Sequence, residues 1–345
     1  MSRELDTIDR QLLDLLQQEV PLVYRPFEQI GGEIGLDEEQ VLQRVAELKR
    51  GPGPVIRQIS AIFDSASLGY KSTLVAARID ENRLDAAAAE ISKHPGVSHN
   101  YRREHAYNLW YTLAVPPDST LGLEGTVDEL HRRSGAIAAR MFPTLKLFKI
   151  GVRLNLSGSA DAPAFPRRRD TAAMPLRASD KQMVRVLQQD IPITPRPFTV
   201  LADHAGVTTA DLLAAAASYK SRGLMRRFAA VLHHREVGFS ANGMGVWAVP
   251  PEQQELFGSI AGGFPEVSHC YLRPTYPDWP YSIFTMVHAT TPAECQSVLS
   301  RISQASGVKE YSALYSTHEY KKVRVQYFTP DIQAWEHRTG AYRVD

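Results

Sequence analysis

The chain has 345 residues, of which 43% are hydrophobic and 22% are charged, a composition typical of a soluble globular protein with more than one domain. Its 39 basic and 38 acidic residues leave a net charge of +1, so no overall field attracts nucleic acid or an anionic membrane. Two cysteines are too few for a disulfide framework or a four-thiolate metal site. We expect a cytoplasmic protein, because the sequence shows neither a signal peptide nor an apolar run that spans a membrane.

An internal repeat organises the chain. The string LLQQ at 15–18 precedes Arg25-Pro26-Phe27, and VLQQ at 186–189 precedes Arg196-Pro197-Phe198, 171 residues later. The string HPGVSHNY at 94–101 meets FPEVSHCY at 264–271, at an offset of 170. Matches in one order at nearly one offset predict two copies of a single unit.

The first half of each copy has the pattern of a winged helix-turn-helix. In the first copy, apolar residues from Ile8 to Leu16 recur at helical spacing, and Asp6 or Thr7 is placed to cap the helix. Pro26 suits the first turn of a second helix, and Asp37 caps a third. Residues 55–63 then have strand character, so we expect three helices followed by a strand hairpin, repeated at 179–232.

The second half of each copy reads strand, helix, strand, strand, helix, strand. In the first copy we predict strands at 72–79, 97–103, 109–115 and 144–154, and helices at 84–93 and 121–134. This order predicts a ferredoxin-like domain with both helices on one face of the sheet. The other face is open to a partner sheet or a ligand.

The predicted fold class is therefore α+β, a tandem duplication in which each copy is a winged helix-turn-helix followed by a ferredoxin-like βαββαβ domain. The proline-containing segment between the copies has the composition of a linker. The predicted boundaries are 1–64 and 65–157 for the first copy, 158–178 for the linker, 179–235 and 236–330 for the second copy, and 331–345 for a C-terminal tail.

The third helix of each winged half argues against DNA binding. A recognition helix needs basic and amide side chains that reach phosphates and base edges. The first candidate opens with three acidic residues at 37–39, and the second, at 208–219, is rich in alanine and has no cation. We therefore expect no nucleic-acid partner.

A polar stripe occurs once in each copy. Because alternate residues of a strand share a face, His99, Tyr101 and Arg103 point the same way, with His105 two residues further. The second copy repeats the stripe with the His-x-Tyr-x-Arg string at 269–273. A simpler alternative is a row of exposed sheet residues with the tyrosine packed on a helix.

The domain order resembles that of the Lrp/AsnC regulators, through LD at 5–6, GL at 35–36 and LGY at 68–70. Longer strings in both copies resemble a branch of that superfamily, the sirohaem (siroheme) decarboxylases. These strings are VSHNY (97–101), REH (103–105) and YNLW (107–110), then VSHCY (267–271), RP (273–274), WPY (279–281), FTMVH (284–288) and EYKKVR (319–324).

The resemblance implies an enzyme, a carboxy-lyase. In that family two related subunits pair or are fused in one chain, and they remove carbon dioxide from the acetate groups at ring positions 12 and 18 of siroheme. The product, didecarboxysiroheme, leads to haem d1 or to haem by an alternative route. The alternatives are an Lrp/AsnC-type regulator, a haem-responsive sensor, or a scaffold that delivers siroheme.

Siroheme is flat and carries many carboxylates, so it needs aromatic walls, arginines and a proton donor. The candidate catalytic residues are His99, His105, His269, Tyr107 and Tyr281. The candidate substrate-binding residues are Arg57, Arg102, Arg103, Tyr101, Asn108, Trp110, Arg226, Arg227, His234, Arg235, Tyr271, Arg273 and Trp279. The candidate aromatic walls, for which plain core packing is the alternative, are Tyr107, Trp110, Tyr111, Trp247, Trp279, Tyr281 and Phe284.

We expect no cofactor beyond the iron of the siroheme substrate and no metal site of the protein's own. A histidine as axial ligand to the substrate iron is an alternative to its role as proton donor. The partner is siroheme, with no membrane partner. The two copies are expected to pair as an intramolecular pseudo-dimer, and further homodimerisation stays open.

Overall fold

The structure, a computed structural model, describes residues 5–50, 53–150, 175–233 and 241–340. These residues form two compact units, and each unit combines equivalent halves of both copies. The helical unit lies within Met1–Gly69, Arg153–Gly238 and Gln326–Thr329, and the sheet unit within Tyr70–Val152, Phe239–Val325 and Pro330–Asp345. Most of the predicted linker lies outside the described residues.

The helical unit contains three helices and one strand from each copy. The helices begin as the sequence predicts: Asp6 accepts a hydrogen bond from the Asp9 amide, and Asp37 forms a capping box with Gln40. Pro26 lies at the start of its helix. The elements are α1 (Thr7–Gln18), α2 (Pro26–Ile34), α3 (Glu38–Lys49) and β1 (Ile56–Phe63), then α6 (Ala178–Leu187), α7 (Pro197–Ala205), α8 (Thr209–Ser221) and β7 (Met225–Leu232).

The predicted hairpin within each copy is wrong. Among the described residues each copy supplies one strand, and β1 pairs antiparallel with β7. The pairing satisfies the backbone groups on one edge of each strand, and Ile59 and Phe228 are buried. Reciprocal ion pairs join the copies: Lys49 contacts Asp190, and its counterpart Lys220 contacts Glu19.

The sheet unit is built on one nine-stranded sheet. Each copy follows the predicted order of a ferredoxin-like domain, which confirms the fold class. The first copy contributes β2 (Lys71–Arg78), α4 (Leu84–Ser92), β3 (Val97–Arg103), β4 (Leu109–Val115), α5 (Gly122–Ser134), β5 (Ala138–Phe142) and β6 (Lys146–Ile150). The second contributes β8 (Ala241–Trp247), α9 (Gln254–Gly263), β9 (Val267–Leu272), β10 (Ile283–Ala289), α10 (Pro292–Ser306) and β11 (Tyr311–Lys322). Across the sheet the strands follow the order β5-β2-β4-β3-β11-β8-β10-β9-β6.

The two copies exchange the ends of their closing strands. The strand predicted at 144–154 spans 146–150 as β6, and it pairs with β9 of the second copy rather than with its own sheet. The strand beside β2 is β5, which ends before Pro143, a residue with no amide proton for the ladder. In the second copy the single strand β11 pairs with strands of both copies. Its first half pairs with β8 of its own copy, and its second half pairs with β3 of the first copy.

The C-terminal segment predicted as a tail contains a helix, α11 (Asp331–Thr339), that packs on the first copy within the sheet unit. The Trp335 ring lies 4.4 Å from the His94 ring, centroid to centroid. Buried Glu336 accepts hydrogen bonds from the Ser119 hydroxyl and the Thr120 amide, near the start of α5. Among the described residues, no helix is both long enough and apolar enough to cross a bilayer.

Candidate functional site

The sheet face away from the helices carries an aromatic cluster to which both copies contribute. The Trp110 ring stacks on Phe142 at 5.7 Å between centroids, and Phe142 lies 5.4 Å from Phe284 of the second copy. We call this set the open-face cluster; its aromatic members are Tyr107, Trp110, Phe142, Trp279 and Phe284, with Tyr276 and Tyr281 packed against it.

Two predicted wall residues lie elsewhere. Tyr111 belongs to the core between the sheet and the helices of the first copy, and Trp247 belongs to the corresponding core of the second copy. Strand alternation explains the first case, because Tyr111 follows Trp110 and must point to the opposite face. The Trp247 indole donates to the Thr285 hydroxyl at 3.0 Å and stacks on Tyr311, as a core residue does.

The two polar stripes have matching geometry. The rings of His99 and Tyr101 lie 6.0 Å apart, and those of His269 and Tyr271 lie 5.9 Å apart. Each histidine Nδ1 contacts the hydroxyl of the preceding serine, at 3.0 Å in the first copy and 2.8 Å in the second. The duplication is therefore preserved in side-chain arrangement as well as in sequence.

Each stripe ends in an arginine, of which Arg103 is buried and Arg273 is partly buried. Arg103 donates from Nη1 to the main-chain oxygen of Leu314 at 2.5 Å, and Arg273 donates in the same way to Phe142. The Nε of each arginine is buried without a hydrogen-bond partner. Burial lowers the pKa of both guanidinium groups to about 10. Two cations with unused donors beside the open-face cluster suit a ligand that carries carboxylates.

The segment between β3 and β4 brings His105 and Tyr107 to the cluster. His105 Nδ1 accepts a hydrogen bond from the Tyr107 amide at 2.9 Å, which leaves the ring proton on Nε2, and burial lowers the pKa of His105. The Tyr107 hydroxyl donates to Asp278 at 2.6 Å, and Asp278 also pairs with Arg140 at 3.2 Å. Burial and the Asp278 carboxylate raise the pKa of Tyr107, so this phenol stays protonated at neutral pH.

Trp279 is held by a tight turn in the second copy. The amides and carbonyls of Tyr276 and Trp279 bond to each other, and the Tyr276 hydroxyl donates to the Met141 carbonyl. The Trp279 ring lies 5.2 Å from both His105 and Tyr281. Its indole Nε1 is buried without a hydrogen-bond partner. The turn therefore places one more unused donor inside the open-face cluster.

Two other predicted binding residues of the sheet unit, Arg102 and Asn108, contact groups outside the open-face cluster. Arg102, next to Arg103 on β3, pairs with Glu81 at 2.8 Å. The Asn108 side chain is buried and bonds to the Ile79 backbone and to Glu81, so its amide links the segment that follows β2 to the start of β4. In the helical unit, Arg226 pairs with Asp64, and the unit also contains Arg57 and Arg227. The predicted His234 and Arg235 lie outside the described residues.

Sequence reasoning missed four residues of this site: Phe142, Arg140, Tyr276 and Asp278. Phe142 and Arg140 lie on β5, which the sequence did not predict, and Asp278 has no counterpart in the first copy. The PDWPY string at 277–281 was the available signal, since proline and aspartate mark a turn that presents its aromatic neighbours. The described residues contain no cluster of three or more metal-ligating side chains.

Comparison with known proteins matches both halves of both copies. The model of the AsnC-like ligand binding domain matches residues 67–149 and 236–321, and that of the siroheme decarboxylase NirDL-like HTH domain matches 9–52 and 180–226. The siroheme decarboxylase of Hydrogenobacter thermophilus is 36% identical over 97% of this chain and 98% of its own length. The siroheme decarboxylase beta subunit of Methanosarcina barkeri is 45% identical over 43% of this chain and 97% of its own.

A solved structure matches over nearly the whole chain. It is the crystal structure of the siroheme decarboxylase NirDL in complex with an iron-uroporphyrin III analogue. The match has a TM-score of 0.78 and 32% sequence identity, and it covers 97% of this chain and 99% of the other. The two-copy arrangement described above is therefore shared with a protein that binds a tetrapyrrole.

Proposed function

The chain belongs to the siroheme decarboxylase family of carboxy-lyases, and we propose that it removes carbon dioxide from the acetate groups at ring positions 12 and 18 of siroheme. The product is 12,18-didecarboxysiroheme, a precursor of haem d1 or of haem by an alternative route. We propose that the reaction takes place in the cytoplasm and needs no cofactor besides the iron that siroheme itself carries.

The observation that carries this proposal is the pair of histidine-tyrosine-arginine stripes beside the open-face cluster. Aromatic rings from both copies form an apolar wall for a macrocycle, in which buried rings such as Trp110 and Phe142 stand behind the partly exposed Tyr276 and Tyr281. Arg103 and Arg273 provide cations whose Nε donors are unused, for peripheral carboxylates. Each guanidinium group donates to a main-chain carbonyl, and that of Arg273 also lies over the Tyr271 and Phe284 rings, whereas a carboxylate is a stronger partner for a cation.

Decarboxylation requires weak contact at the reacting carboxylate and firm contact elsewhere. The bond between the acetate methylene carbon and the carboxylate carbon breaks, and its electron pair stays with the methylene carbon, conjugated to the macrocycle. Ion pairing at the reacting carboxylate would stabilise the ground state and slow this step. We therefore assign Arg103 and Arg273 to carboxylates that do not react, where they orient the macrocycle.

A proton must then reach the methylene carbon to form the methyl group. His99 and His269 are the proposed donors, since imidazole rings give and take protons readily near neutral pH. His105 has a lowered pKa, so it acts here as a neutral hydrogen-bond donor from Nε2 rather than as a cation. Tyr107 and Tyr281 line the site with hydroxyl groups, and Tyr101, Tyr271, Trp110 and Trp279 are its proposed walls.

The fused copies take the place of two subunits. A relative of about half this length is called a beta subunit, and it matches 43% of this chain. In the sheet unit the copies share one sheet and exchange strand ends, which is the arrangement expected of an intramolecular pseudo-dimer.

The proposal is tested by incubating the purified protein with siroheme under anaerobic conditions and following the mass of the tetrapyrrole. We expect a product lighter by two molecules of carbon dioxide. Siroheme that binds, as shown by a shift of its absorption spectrum, but keeps its mass would refute the assignment and favour a sensor or a carrier.

A further inference from the structure

The second copy contains a chain of three side chains that the first copy lacks. Ser268 Oγ lies 2.8 Å from His269 Nδ1 and 2.7 Å from His288 Nε2. Both distances are those of good hydrogen bonds. The hydroxyl is buried, and its other neighbour, the Met286 carbonyl, is further away at 3.2 Å. A hydroxyl both donates and accepts, so Ser268 connects the two imidazole rings.

The first copy has the same serine but no second histidine. Ser98 Oγ lies 3.0 Å from His99 Nδ1, and its other contact is the Thr112 hydroxyl at 2.6 Å. The strand register places Ala114 at the position of His288. A threonine hydroxyl has a pKa far above neutral, so it supplies no proton of its own at physiological pH. The two stripes therefore differ in proton supply, although they match in geometry.

We propose that His288 and Ser268 form a proton relay that supplies His269 during decarboxylation. This inference rests on the proposed function, and it assigns the proton relay to the second copy. His288 and His269 are both partly exposed, whereas Ser268 between them is buried, so the hydroxyl joins the two rings at a point shielded from solvent.

The proton count balances along this path. The relay starts with His288 protonated at both nitrogens and His269 protonated at Nε2. As carbon dioxide leaves, His269 Nε2 gives its proton to the methylene carbon, and its Nδ1 takes the Ser268 hydroxyl proton. Ser268 takes a proton from His288 Nε2 and is regenerated. One carboxylate and one proton yield one methyl group and one carbon dioxide, and His288 ends neutral. Solvent then recharges His288.

The relay predicts a specific kinetic signature. His288→Ala should keep siroheme affinity and the melting temperature near wild type, because His288 is partly exposed near the end of β10 and is assigned to proton supply rather than to binding. The rate of carbon dioxide release should fall by at least about tenfold, which is part of the roughly 10²–10⁴ that general acid catalysis contributes. Added imidazole should restore part of the lost rate, since it replaces the missing proton donor. Ser268→Ala alone should lower the rate of carbon dioxide release. Added to His288→Ala, it should lower that rate little further.

His318→Gln is the matched control, because His318 is an exposed histidine on β11 and should react at the wild-type rate. A wild-type rate in His288→Ala would overturn the relay and leave the proposed function standing. A loss of rate that imidazole does not restore, accompanied by an equal loss of affinity, would show a structural role and also overturn the relay. If wild type and His318→Gln both release no carbon dioxide, the proposed function fails, and the relay fails with it.

Discussion

Replacing Arg103 with methionine should weaken siroheme binding and leave the fold nearly as stable as before. Burial lowers the pKa of Arg103 from 12.5 to about 10. At about 1.4 kcal/mol per pH unit, the buried charge opposes folding by roughly 3 kcal/mol. Because the folded-state pKa lies below the unfolded value, this cost is present at every pH below about 10 and is relieved only above it.

The hydrogen bond to Leu314 offsets much of that cost, since hydrogen bonds to charged groups contribute about 1.5–3 kcal/mol. Methionine has a similar length and no charge, so we expect the free energy of unfolding to change by less than about 1.5 kcal/mol. In the siroheme complex, Arg103→Met also removes the proposed hydrogen bond between Arg103 and a siroheme carboxylate. The same range of about 1.5–3 kcal/mol corresponds to a roughly 10- to 150-fold higher Kd.

Anaerobic titration of siroheme by its absorption change gives the Kd, and urea unfolding gives the stability. Arg102→Met is the matched control, because Arg102 is adjacent on β3 and pairs with Glu81; its Kd should stay at the wild-type value. Severe destabilisation of Arg103→Met with unchanged siroheme affinity would refute the reasoning, because it would identify Arg103 as a structural tie.

Three further outcomes follow from the structure. His99→Ala and His269→Ala should each still bind siroheme but release carbon dioxide at least about 100-fold more slowly, as single-turnover gas release would show; an unchanged rate in both would exclude them as donors. Burial raises the pKa of the Cys270 thiol to about 12, so iodoacetamide at pH 8 should modify it only after unfolding, as peptide mass mapping would reveal. Gly258→Ala places a Cβ against the Phe148 ring of β6 and should lower the free energy of unfolding by about 1–3 kcal/mol in a urea titration, whereas wild-type stability would show that the ring moves aside freely.

The sequence predicted most elements of the fold because their signals are local. Helix caps at Asp6 and Asp37 and the βαββαβ order depend on residues close in the chain. The partners of the strands depend on residues far apart. The residue pattern predicted strands at 55–63 and 144–154, but it contains no information on which copy supplies the neighbouring strand.

The residues of the site likewise fall into a group that local patterns predicted and a group that they did not. Strand alternation placed His99, Tyr101 and Arg103 on one face, and the structure agrees. Contacts between distant segments were not predicted: Arg140 and Asp278 are 138 positions apart in the chain and meet only after both copies fold together. A pattern within one strand identifies a face, whereas a network between copies requires the tertiary structure.

The central claim is that siroheme binds at the open face of the sheet unit, with Arg103 and Arg273 on its carboxylates. A crystal structure of the protein with siroheme bound tests it most directly. The account predicts a macrocycle against the open-face cluster, carboxylates within hydrogen-bond distance of both guanidinium groups, and an acetate group beside His99 or His269. A macrocycle bound away from that face, with both arginines still on main-chain carbonyls alone, would contradict it.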